Sequence, residues 1–80
     1  MPTTTENYLR DLGYLLKERA LEAKVEFHAA TEGSSKDFQG GRYMAYYEVI
    51  SLVLSQAEAF GISADSLALQ GIDPERDLLG

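Results

Sequence analysis

The sequence predicts an all-α fold: an antiparallel hairpin of two long helices with a short C-terminal helical lid, in one domain spanning residues 1–80. Three features carry that reading. Apolar side chains recur at steps of three and four over two stretches of about 25 residues, the spacing of a helix face. A Gly- and Ser-rich break separates the stretches. Neither contains proline, since both prolines stand outside them, at positions 2 and 74.

The first helix is predicted over residues 5–31. Thr3, Thr4 or Thr5 can cap its start, and Thr3 with Glu6 has the spacing of a capping box, in which side chain and backbone satisfy each other's free donors. Leu9, Leu12, Leu16, Ala20, Ala23, Phe27 and Ala30 form one stripe at about 100° per residue, a packing face. Tyr14, Leu21 and Val25 fall on nearly the opposite side, and a helix with two apolar sides requires two neighbours.

From Glu32 to Gly41 the chain carries break signals: Gly33 suits a C′ position, and Ser34 or Ser35 a following N-cap. The second helix is read as 36–60, with Gly40-Gly41 inside its first turns at a cost of about 1 kcal/mol each relative to Ala. The glycines then allow another backbone to come close, and Phe38 joins the core. A later start, at Arg42, is the alternative. Beyond it Tyr43, Tyr46, Tyr47, Ile50, Val53, Leu54, Ala57 and Phe60 keep helical spacing, and Val49 and Leu52 widen the apolar arc past half the circumference. Gly61 ends this helix.

Short helical turns are expected over residues 63–69 and 74–79, the second opened by Asp73 as N-cap and Pro74 at the first helical position. Turns of this length have no stability alone. Ile62, Leu67, Leu69, Ile72, Leu78 and Leu79 are therefore expected to fold back over one end of the hairpin.

Composition narrows the function. The chain has 13 acidic residues against 7 Lys plus Arg, a net charge of −6, and this sign repels phosphate, so nucleic acid is not an expected partner. The imbalance is concentrated: residues 48–80 hold six acids and one base, Arg76. With no cysteine there is no disulfide, thiolate metal site or cysteine nucleophile. The N-terminal residues lack a basic and apolar leader, and no apolar run approaches the ~20 residues of a bilayer span, so a cytoplasmic protein without membrane contact is expected.

Catalytic chemistry finds little support. His28 is the single histidine. Glu32 lies one turn on, at an offset that can share a metal, but a site needs three or four ligands, and Val25 stands where a Glu-x-x-His element needs its glutamate. Glu18, Glu22 and Glu26 form a carboxylate row at i, i+4, i+8, for which a solvated face screened by Lys17, Arg19 and Lys24 is the ordinary explanation. The serines have no nucleophile motif, and Gly40-Gly41 matches no phosphate-binding loop. Neither cofactor nor catalytic residue is predicted.

Two helices of this length, about 37 Å each, cannot cover each other's apolar surface. The surplus centres on the second side of helix one and on Tyr43 to Leu54, and three tyrosines within five residues unite apolar area with hydroxyls that need partners. Tyr14, Leu21, Val25, Tyr43, Tyr46, Tyr47, Ile50 and Leu54 are accordingly the expected interface of a homodimer that completes a four-helix bundle. The expected function is that of a small acidic protein-binding module, an adaptor or inhibitor steered by its acidic half toward a basic protein surface. The alternatives are a purely structural oligomer subunit and a metal-dependent enzyme using His28 and the helix-one glutamates. Circular dichroism should report helix for well over half the residues; a value below half would contradict the all-α class.

Overall fold

A computed structural model describes residues 3–30 and 33–79. Two antiparallel helices, α1 (Thr4–Ala29) and α2 (Ser34–Ala59), are followed by a 3-10 turn (Ala64–Leu67) and a wide turn (Pro74–Leu78), with no strand among the described residues. The all-α hairpin with short C-terminal helical elements is the class the periodicity predicts.

The capping box forms: Thr3 Oγ1 accepts from the Glu6 N–H at 3.1 Å, and Glu6 Oε1 accepts from the Thr3 N–H at 3.3 Å. The other end comes earlier than residue 31. Ala30 is already extended, with ψ 140°, so the helix stops at Ala29; position 31 lies outside the described residues. In α2 the start is earlier than expected. Gly33, at φ 104°, is the N-cap, and Ser34 and Ser35 fall in the first turn instead of capping it. Only a residue without a Cβ takes that φ at little cost.

Phe38 is a correction, since it stands 68% exposed and adds nothing to the core. The glycine expectation also changes. A Cβ on Gly40 would meet the edge of the Phe27 ring at 3.2 Å, not a backbone, and one on Gly41 would meet nothing. At its far end α2 closes as a Schellman motif about Gly61 (φ 69°), with the Ile62 N–H donating to the Ala57 carbonyl at 2.8 Å and the Gly61 N–H to that of Glu58 at 3.1 Å. Phe60, which continues the apolar helical spacing, is the C-cap residue and is 76% exposed.

The interhelical seam pairs small residues with large ones. α1 buries Gly13, Ala20 and Ala23, while α2 buries Tyr43, Ile50 and Ala57 at intervals of seven residues. Against this seam lies the C-terminal segment, which contributes buried Leu67, Leu69 and Leu78. It runs along one side of the hairpin and does not cap an end, because Leu67 meets α1 at Gly13 and Lys24 Nζ donates to the Asp77 carbonyl at 2.9 Å about three turns further along the same helix. Ile62 and Leu79 remain exposed.

The decisive contact is at Gly13. A Cβ there would lie 1.8 Å from the Leu67 carbonyl oxygen, inside any van der Waals limit, and the obstacle is backbone, which cannot rotate away. This glycine, in the middle of a helix where Ala is ordinarily favoured by about 1 kcal/mol, lets the strap seat itself. The Gly13→Ala substitution should therefore lower stability by about 1–3 kcal/mol, as overpacking does, with helix content retained. Urea denaturation checks this; an unchanged or raised midpoint would contradict the close approach.

Candidate functional site: an open apolar face

The strap covers one side of the hairpin and leaves the other bare. Near the open end, where α1 begins and α2 finishes, Leu9, Leu52, Val53, Ala57, Phe60 and Ile62, together with Gln56 and the strap's Leu67, line a shallow hollow of about 350 Å³ whose walls are almost wholly apolar. Helical spacing extends it, since Leu12 lies one turn beyond Leu9, and Val49 one turn before Val53. Leu52 is 61% exposed, and Leu9, Leu12, Val49 and Ile62 are all exposed. Neighbouring apolar residues left in water on this scale mark a contact surface more often than scattered single ones do.

Toward the loop between the helices the surface becomes charged. Arg42 bridges to Glu26 and, at 3.6 Å, to Glu22, and its guanidinium sits 5.7 Å from the Tyr46 ring centre. Two members of the carboxylate row are thus held by one cation. The third, Glu18, stands near the Tyr14 phenol and raises that group's pKa above the ordinary value. At the loop end Phe27 stacks on Tyr43 at 5.2 Å under Lys36, whose ammonium is 4.4 Å from the Phe27 ring centre. His28 packs by that stack, 6.1 Å from Tyr43 and itself exposed. Glu32, its expected companion, lies outside the described residues, and no group of three potential metal ligands occurs among the described residues.

The eight residues read from sequence as an interface do not share one surface. Tyr43 and Ile50 are buried within the chain, Ile50 completely. Half-buried Tyr47 and Leu54 line a hollow with Asp73, Pro74 and Glu75 of the strap. Leu21 lines another with Gln70, Gly71 and Ile72, and Tyr14 a third with Ala68, so both flank the strap on α1. Val25, one turn past Leu21, is exposed. Tyr46 alone leans toward the bare side, against Arg42. Sequence reasoning missed Leu9, Leu12, Leu52 and Phe60 as surface because each satisfied the apolar helical spacing, and Ile62 because it is expected to fold back with the C-terminal segment. The available signal was length: one short C-terminal segment cannot cover both sides of a two-helix pair.

The fold and its bare face define a strapped helical hairpin, an all-α chain with one side closed by its own C-terminal segment. Comparison with known protein families, with curated proteins and with solved structures finds no match. No helix among the described residues is long and apolar enough to cross a membrane.

The last turn of the strap is stiffened by charge. Asp73 Oδ1 caps the last turn through the Glu75 and Arg76 N–H groups, and the Asp77 carboxylate accepts from the Arg76 guanidinium at 2.8 Å and from the Asp73 N–H at 2.8 Å. The Arg76 bond above all, then that N–H, holds the Asp77 carboxyl well below the usual carboxylate range. A carboxyl whose pKa is depressed by folding stabilises the fold fully above its unfolded pKa, about 3.9, and progressively less as the pH falls below it. The stability gap between the parent chain and Asp77→Asn should hold constant down to about pH 5 and shrink below about pH 4. Denaturant titrations at each pH read it; a gap of the same size in acid would deny the ionised contact.

Proposed function

We propose that this chain is a non-catalytic protein-binding module of the cytosol, an adaptor or inhibitor whose bare apolar face is covered by another polypeptide in the working state. The contiguous strip from Leu9 and Leu12 across to Leu52, Val53 and Phe60 carries the reading. Apolar area of this kind gains free energy on leaving water whatever the partner's sequence, at about 25 cal/mol per Å². The acidic groups are placed to steer, not to seal. Glu58, Asp73 and Glu75 surround one hollow with Tyr47 beside the strap, away from the apolar strip. A basic partner would be drawn to that flank with a salt-dependent rate. Against the metal-dependent alternative, Glu22 and Glu26 are engaged by Arg42.

Site-specific photocross-linking in the producing cells tests the reading. A photoreactive residue in place of Leu52 should capture a polypeptide, and the same residue in place of Glu75 should capture far less. Equal, background-level labelling at both positions would overturn it.

A further inference from the structure

Who covers the face can be argued from area, core size and charge. A compact folded chain of 8.8 kDa exposes about 4,800 Å². This one exposes 5516 Å², and the excess of about 700 Å² approaches the roughly 800 Å² that each partner contributes to an interface of standard size. The core beneath is small: Ile50, Leu69 and Leu78 are the only large side chains buried completely among the described residues. A chain with so little interior needs its face covered whenever it is folded. A second copy is the partner always present at matching concentration, and two such helix pairs packed face to face make a four-helix bundle.

Charge then sets the overlap. The apolar strip occupies the open-end half, while the loop-end half carries Arg42 with Glu22 and Glu26. Laid side by side in parallel, two copies would press Arg42 toward Arg42 and desolvate the carboxylates around it, a penalty that apolar contact does not incur. Overlap restricted to the open ends leaves those groups in water. The helices pair so that Leu9 adjoins Phe60, and Gln56 lines the same hollow one turn from each of Leu52 and Phe60. A twofold axis at Gln56 therefore sets Leu52 of one copy against Phe60 of the other.

Resting on the protein-binding reading above, we propose that a second copy of this chain closes the face, the two hairpins overlapping antiparallel along their open-end halves about a twofold axis near Gln56, with the loop ends pointing apart. Because the sequence has no cysteine, single-cysteine variants give an unambiguous test. Light scattering on the purified full chain should return twice the 8.8 kDa chain mass at micromolar concentration. Leu52→Glu should return the single mass. Mild oxidation should link Gln56→Cys into a covalent dimer and leave Phe38→Cys unlinked, since position 38 is about 27 Å along the helix from position 56 at 1.5 Å per residue. The cysteine variants keep the test valid should Leu52→Glu not fold. A parental chain of single mass at all concentrations would overturn the second copy, and if position 52 still captured a different polypeptide in cells, the protein-binding reading would stand alone. A dimer that links through position 38 and not through position 56 would overturn the arrangement.

Discussion

The architecture depends on the absence of one methyl group. At Gly13 the Leu67 carbonyl sits where any other residue would place its Cβ. The contact anchors the 3-10 turn to the first half of α1, and from there the strap continues to the Lys24 ammonium, which donates to the Asp77 carbonyl. Between these anchors Leu69 reaches complete burial, as does Leu78 immediately after the second. The rest of the seam follows the same rule of close approach: Ala20 and Ala23 keep α1 thin where Ile50 and Tyr43 of α2 pack. Small residues lose little hydrophobic area themselves, but they bring larger neighbours within dispersion range.

This arrangement makes the two sides of the hairpin unequal. One is closed by a segment of the same chain, pinned at both ends by backbone carbonyls and stiffened by the Asp73–Arg76–Asp77 cluster. The other ends in exposed Leu52 and Phe60 beside Leu9, with Gln56 the one polar residue lining their hollow. One face is thus left apolar while its opposite is closed.

Electrostatics reinforces the division. The carboxylates that make the chain acidic in its second half gather beside the strap, with Glu58 facing Asp73 and Glu75. The glutamates of α1 nearest the bare side are instead drawn in by Arg42. The negative field of the carboxylates beside the strap is thereby directed outward from its flank.

Local rules made much of this legible. Thr3 and Glu6 announced the capping box, Asp73-Pro74 the last turn, Gly61 the end of α2, and the three- and four-residue steps of Leu16, Ala20, Ala23 and Phe27 the packed side of α1, since each depends on neighbours within a turn or two. What only the tertiary structure decided was which apolar residues are spare. Tyr43 and Ile50 went inside, Phe38 and Phe60 outside, and Tyr47 and Leu54 beneath the strap, although all of them satisfy helical spacing or adjoin it. Periodicity states that a side chain has an apolar neighbourhood without naming the neighbour. The choice was made by the path of residues 61–79, and that path is set by a carbonyl resting on a glycine 54 positions earlier in the chain, a contact that no local pattern encodes.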